Sequence, residues 1–321
     1  MVRNKPLVSI GLPVFNAENY LKKALDSILA QTYGDFEVII SDNASTDNTQ
    51  QICLEYVNED NRVSYYRSDR NLGAAWNFNN VFKLSSSMYF KWAAHDDLIA
   101  PNFLHECVNL LKHDHSVVLC HSKTARCNEF GQVIGFYDYG SVTDSPKPQT
   151  RFRDVLDRKG FPWMIFGVFR TNVLAQTRLL QDYIGSDWNL IAEMSLAGRI
   201  VEIPQYLLFR RDHSKSYTGR YHPHMAKVYD YPKATTWWTG KSKKPLVVLP
   251  NWRNCLEFFK SVQRSPLNWS ERWSCLREIG RWLAFRSGGS YLKEDLSNEL
   301  LFWRIRINRW RLGNHLTELC F

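Results

Sequence analysis

The feature that most limits what this chain can fold into is an alternation. Between Leu7 and Cys120, short apolar runs take turns with longer stretches whose apolar residues recur every three or four positions. Leu7–Leu12, Phe36–Ile40, Val63–Tyr66, Met88–Trp92 and Val117–Cys120 read as strands, with Pro13 ending the first. The stretches between them read as helices: Ala17 to Leu29 capped by Asn16, Thr49 to Val57, Gly73 to Leu84, and Phe103 to Leu111 entered through Pro101. Strands joined through helices build a mainly parallel α/β sheet. Such crossovers are right-handed, so the carboxyl ends of the strands share one edge, which is where ligands of open α/β sheets gather. Three polar clusters follow strands onto that edge: Asp42, the loop around Arg70, and the adjacent pair Asp96-Asp97.

In isolation, Asp96-Asp97 reads as a solvated turn ahead of a helix. Its convergence with the other clusters changes that reading. Adjacent carboxylates repel each other, and burying them uncompensated is costly. A hard divalent cation removes the cost and takes oxygen ligands. The chain carries neither the glycine-rich phosphate loop ending in Lys-Ser/Thr nor a dinucleotide fingerprint; after its first strand it has Gly11-Leu-Pro-Val-Phe-Asn16. A bound nucleotide would therefore be held through a metal rather than a glycine cradle.

Beyond Cys127 the pattern loosens into turns and short antiparallel strands, with a helix over Arg151–Leu156. Trp163–Arg170 reads as a strand, Trp188–Ala197 as a helix, and Ile200–Ile203 and Tyr206–Phe209 as two strands. Asp187 stands where an N-cap or first-turn acid belongs, and from local sequence alone capping is the plainer role. Arg210-Arg-Asp-His213 follows at a strand end. The chain then divides at about residue 222 into a basic, tryptophan-rich tail with three helical apolar stripes: Trp252 to Phe259, Trp269 to Leu283 and Leu296 to Trp310. The plainer reading packs these stripes on each other and on the main domain; the sharper one lays them on an anionic membrane face.

The formal net charge of +9 favours acidic partners such as nucleotide phosphates or anionic lipid. No nucleic-acid motif is present. There is no run long and apolar enough for a signal peptide or a membrane span, and the seven cysteines include no C-x-x-C pair. These features are those expected of a reduced, cytoplasmic protein without structural zinc.

Several segments in order resemble glycosyltransferase family 2, which has the GT-A fold. They are Val8-Ser-Ile-Gly-Leu-Pro-Val-Phe-Asn-Ala-Glu-Asn-Tyr-Leu21, Ser27-Ile-Leu-Ala-Gln-Thr-Tyr33, Phe36-Glu-Val-Ile-Ile-Ser-Asp-Asn-Ala-Ser-Thr-Asp47, Arg70-Asn-Leu-Gly73 and His95-Asp-Asp97. The resemblance implies a GT-A domain over residues 1–221, with the helical region over 222–321 added to it. It implies an inverting transfer from a nucleotide-sugar donor, with Mn2+ or Mg2+, to a saccharide or lipid-linked acceptor, in the synthesis of a surface polysaccharide or glycolipid at the inner face of the membrane. By position, Pro13, Phe15, Asp42, Arg70 and Asp96 would bind the donor, and Arg211 would close over its diphosphate. Asp97 and His213 would hold the metal, and Asp187 would be the catalytic base. The leading acid of the family's Asp-x-Asp motif is replaced by Ala94. That departure is the one support for an inactive homologue that docks on membrane. A sugar nucleotidyltransferase is the other alternative, although the glycine-rich loop of that class is missing.

Overall fold

In a computed structural model the chain is described over residues 5–137, 143–157, 163–216, 231–241 and 249–285, with six more residues between 289 and 297. The strands are β1 (Val8–Val14), β2 (Phe36–Asp42), β3 (Val63–Arg67), β4 (Tyr89–Trp92), β5 (Leu98–Ile99), β6 (Val117–Cys127), β7 (Val133–Tyr137), β8 (Val168–Arg170) and β9 (Arg199–Arg211). The helices are α1 (Leu21–Leu29), α2 (Thr49–Glu59), α3 (Ala74–Leu84), α4 (Phe103–His113), α5 (Pro148–Asp157), α6 (Thr171–Leu174), α7 (Ser186–Ala197), α8 (Tyr231–Thr239), α9 (Pro250–Arg264) and α10 (Trp269–Phe285).

All nine strands join one sheet, ordered β3-β2-β1-β4-β8-β6-β9-β5, with β7 paired to β6. The β3-β2-β1-β4 half is parallel, as is β6 on β9, while β5, β7 and β8 enter antiparallel. This is the mainly parallel α/β architecture that the alternation predicts. β1 runs through Pro13 instead of stopping there. Pairing of β1 with β4 ends at Gly11 opposite Trp92, and Gly11 accepts a hydrogen bond from Ala93 on that side. Residues two apart along a strand face the same neighbour, so the missing Pro13 N–H falls where no partner strand remains.

Each face of the sheet carries its own apolar core. One face packs Val8, Ile10 and Leu12 against α1, α2 and α4; the other packs Phe90, Trp92 and Phe169 against α3, α5 and α7. The helices beyond residue 222 belong to the second core. Trp238, Phe258, Val262, Ile279 and Trp282 are buried within it. Phe258, Trp188 and Trp282 meet edge to face at centroid separations of 5.5, 5.8 and 6.2 Å. Contacts of this kind contribute ~0.5–1.5 kcal/mol each beyond the area they bury. Buried charges also cross the junction: Glu193 of α7 accepts hydrogen bonds from Arg264 and Ser261 of α9, and Glu257 pairs with Arg178 and Lys260. The first two tail helices therefore pack on the main domain through Cys255, Phe258, Ile279 and Trp282, while Trp252, Leu256, Trp269 and Trp273 of the expected stripes stay exposed. Of the third, Leu296 is exposed and residues 298 onward lie outside the described ones. Among the described residues no helix is long and apolar enough to cross a membrane.

Several local expectations need correction. α1 starts at Leu21, and Asn16 does not cap it; Asn16 adopts φ 51° and accepts a hydrogen bond from the Thr46 amide, tying the β1–α1 loop to the one after β2. Pro101 precedes α4 by two residues, because β5 claims Leu98–Ile99 first. Trp163–Phe166 is a 3-10 turn, and only Val168–Arg170 pairs as a strand. A short apolar run looks the same whether it forms a buried turn or a buried strand. The two strands expected after Gly198 are one, β9, which continues to Arg211.

Candidate active site

The sheet edge is built from loops that are pinned at both ends. The acid loop between β4 and β5 is held on one side by the Ala93 amide, which donates to Gly11. On the other side Leu98 and Ile99 pair with Phe209 and Leu208 of β9. β9 then carries Arg211 and His213 back across the same loop. The Arg211 amide donates to Asp97 Oδ1 at 2.9 Å, and its Nε donates to the Asp96 carbonyl oxygen at 2.9 Å. His213 Nε2 lies 2.8 Å from Asp96 Oδ2. Tyr20 backs both side chains, 4.6 Å from the His213 ring and 4.9 Å from the Arg211 guanidinium carbon.

Arg211 is 1% exposed, and its Nη1 donates to the Glu129 carbonyl oxygen at 2.8 Å. Its Nη2 has no hydrogen-bond partner, and neither does Nδ1 of His213. Buried polar atoms without partners are uncommon in a folded protein and leave these two able to bind a ligand. Burial opposes charge on both acids of the loop. For Asp96, the nearby His95 and the His213 hydrogen bond outweigh burial and hold its carboxyl low; for Asp97, burial and the adjacent Asp96 charge push it up.

α7 supplies a further part of the site. Its N-terminus is entered through Gly185 at φ +83°, and Asp187 lies in its first turn. Asp187 does not act as the N-cap. Its Oδ1 accepts only the amide of the next residue, Trp188, at 2.9 Å, and burial raises its carboxyl above the ordinary range.

One cavity of about 420 Å3 joins these walls. Pro13, Phe15, Asp96, Asp97, Asp187, Arg211 and His213, all singled out from sequence, line it. Asp42 and Arg70 do not. Asp42 is fully buried, with Ser45, Tyr65 and Arg67 donating to its two oxygens at 2.6 to 2.8 Å. Arg70 is exposed, and its neighbour Asn71 reaches the cavity instead. Sequence reasoning overlooked Tyr20, Trp188, Trp238 and Asn254, which also line it. Trp238 and Asn254 belong to the tail, where no local pattern ties them to a sheet edge more than a hundred residues earlier. Tyr20 lies in the first of the family-like segments, where its apolar spacing marks a helix stripe and hides its place beside Arg211 and His213.

Among the described residues no three His, Cys, Asp or Glu side chains form a complete metal cage. The acid loop and His213 offer fewer protein ligands than a closed site, with an unpartnered imidazole nitrogen beside them. That donor set fits a Mg2+ or Mn2+ ion whose coordination is completed by substrate phosphate oxygens, the usual arrangement for such ions.

The model of the family described as glycosyl transferase family 2 matches residues 9–170, just over half of the chain. An uncharacterized glycosyltransferase of Rickettsia typhi is 41% identical over 106 residues, which is 33% of this chain and 32% of the relative. The chain thus spans about a third of that relative's length. Among solved structures, S. aureus TarS 1-349 in complex with UDP superposes with a TM-score of 0.61 at 15% identity, covering 87% of this chain and 72% of TarS. The mannosyltransferase PcManGT from Pyrobaculum calidifontis, in complex with GDP-Man and Mn2+, gives 0.52 at 15% identity, covering 93% and 88%. The fold they share with this chain is the GT-A type, and with the family match the conclusion follows that the chain belongs to glycosyl transferase family 2.

Proposed function

We propose that the protein is an inverting, metal-assisted glycosyltransferase that moves a sugar from a nucleotide-sugar donor to a hydroxyl acceptor. The observation that carries this reading is that Asp187 lines the same cavity as the cluster of Asp96, Asp97, Arg211 and His213. Pro13 and Phe15 wall the nucleotide end. The unpartnered Arg211 Nη2 donates to the donor diphosphate, where negative charge builds as the glycosidic bond breaks. Asp97 and His213 would hold a divalent cation, with Asp96 fixing the imidazole, and the cation would supply Lewis-acid stabilisation of the leaving diphosphate. Asp187 takes the acceptor hydroxyl proton. Its carboxylate has one backbone donor, and burial makes it a stronger base than a solvated aspartate. A single displacement with the base opposite the leaving group inverts the anomeric centre, and no covalent nucleophile is needed. Asp42 acts on the nucleotide indirectly, by holding the loop through Arg67 and Tyr65 beside the cavity.

The acceptor meets the cavity wall that α7 and the tail helices build together. Trp188, Trp238 and Asn254 form that wall, a mixture of aromatic faces and amide groups suited to a saccharide. Exposed Trp252, Leu256, Trp269 and Trp273 on α9 and α10 favour a lipid-linked acceptor met at a membrane surface, in polysaccharide or glycolipid synthesis. Co-sedimentation with anionic vesicles tests that contact; a protein that stays in the supernatant removes it. Donor binding is tested by thermal denaturation with UDP-GlcNAc and GDP-mannose, with and without Mn2+. One donor should raise the midpoint, with the Mn2+-dependent part lost in Asp97→Ala. A midpoint unmoved by any nucleotide sugar would refute the reading.

A further inference from the structure

Lys91 is out of character with its surroundings. β4 reads Tyr-Phe-Lys-Trp, all four side chains are buried, and Lys91 is 1% exposed. Lysine is almost never fully buried unless paired. The ammonium donates to the Phe166 carbonyl oxygen and lies 4.4 Å from the centroid of the Phe103 ring. Neither partner carries a full charge, and an ammonium has three donors to place.

Behind the acid loop lies a second cavity of about 10 Å3, room for one water molecule. Lys91 and Asp97 are both among its walls. Asp97, Ala94 and Phe166 line this small cavity and the large one alike. The acid loop is therefore a thin partition, with the donor cavity in front and the lysine behind. The same lysine reaches the turn Trp163–Phe166, which forms another wall of the donor cavity. Burial lowers the Lys91 amine to about 8, with Cys107 and Asp97 opposing that shift.

We infer that the Lys91 ammonium is a built-in counter-charge of the acid loop, a positioning residue that offsets Asp97 from behind and ties the loop to the Trp163–Phe166 turn. Arg210 and Arg211 offset Asp97 from the donor side, where His213 also bonds Asp96, and Lys91 adds a charge behind the partition. With Lys91 in place, the loop keeps its shape before any cation or donor arrives. The functional meaning rests on Asp97 facing the donor, as in the proposed function, but the pairing itself belongs to the folded chain alone.

A double-mutant cycle on the full chain tests it, read as the urea midpoint in chelator with no donor present. K91M should lower the midpoint. D97N removes a carboxyl that burial and Asp96 push up, and it should raise the midpoint more in K91M than in the wild type, because there the acid has lost a counter-charge. A structural lysine unrelated to Asp97 would give no such difference, so equal effects of D97N in both backgrounds would overturn the pairing. Should K91M fail to fold, K91M/D97N is expected to fold; failure of both would also overturn it. K91R, which keeps the charge, should recover part of the midpoint lost in K91M, and no recovery would count against the inference. Because the cycle needs no turnover, lack of sugar transfer by the wild type would contradict the proposed function and leave the pairing intact.

Discussion

Gly185 is the point where the tail helices press on the helix that carries Asp187, and replacing it with alanine is a sharp test of that contact. The residue has φ +83°, and an added Cβ would stand 2.3 Å from Asn254 Nδ2 and 3.1 Å from its Oδ1. Two separate costs follow. A Cβ in the left-handed region costs ~1–2 kcal/mol. Overpacking against a side chain that cannot retreat costs ~1–3 kcal/mol. Asn254 is 4% exposed, its Nδ2 donates to the Ile184 carbonyl oxygen at 3.3 Å, and its own carbonyl oxygen accepts from Asn189 at 3.1 Å. The sum of ~2–5 kcal/mol corresponds to a fall in Tm of roughly 3–8 °C for a chain of this size. The costs separate in the N254A background, where the clash is gone and the backbone cost stays. There Gly185→Ala should cost only ~1–2 kcal/mol. Calorimetry or far-UV melting of the four proteins reads both numbers. A G185A protein that melts with the wild type, or that loses as much stability with Asn254 as without it, would refute this account of how the tail meets the site.

Further outcomes follow from the same geometry. Asp187→Asn should lower kcat/KM by about 10²–10⁴-fold, the scale of one general base. The acid limb of the wild-type rate should lie above the ordinary carboxylate range, because burial raises Asp187 and activity is lost as pH falls through it. The same sign makes Asp187→Asn stabilising near neutral pH, since a carboxyl raised on folding contributes stability only below its unfolded value; a destabilised variant would contradict the burial argument. Arg211→Lys keeps a charge but loses the planar fork that spans Asp96 and Glu129, so donor binding should weaken by about tenfold to a hundredfold, for one charge-assisted hydrogen bond. Gly73→Ala should detach α8, since a Cβ there would lie 2.3 Å from the Gly240 amide nitrogen; proteolysis after residue 231 should then accelerate.

The order of strands and helices through residue 120 is legible because each element carries its own period. The edge that carries Asp96 and Asp97 is legible because crossovers have one hand, whereas Asp187 is tied to it only through the family resemblance. What remained hidden depends on contacts between distant segments. Asp42 and Arg70 sit in motifs that suggest the nucleotide, yet Arg67, three residues earlier, turns Asp42 inward, and no local pattern distinguishes the two arginines. β5 is two residues long and exists only because β9 passes beside it, so nothing in Leu98-Ile99 marks a strand. The tail stripes show amphipathic helices without saying what they cover; only the fold places Trp238 and Asn254 beside Asp187. Lys91 did carry a signal, a single charge inside an aromatic strand, which the reading of that strand passed over.

The central claim is that Asp187 activates an acceptor hydroxyl across the cavity from the diphosphate held by Arg211 and the acid loop. The most direct test incubates wild type and Asp187→Asn with UDP-GlcNAc and GDP-mannose, Mn2+ and a panel of saccharide acceptors, following nucleotide release together with the anomeric configuration of the new glycoside. The account predicts release by the wild type from one donor, a product of inverted configuration, and loss of both in the variant, which still binds donor. Retained configuration, or undiminished transfer by Asp187→Asn, would contradict it.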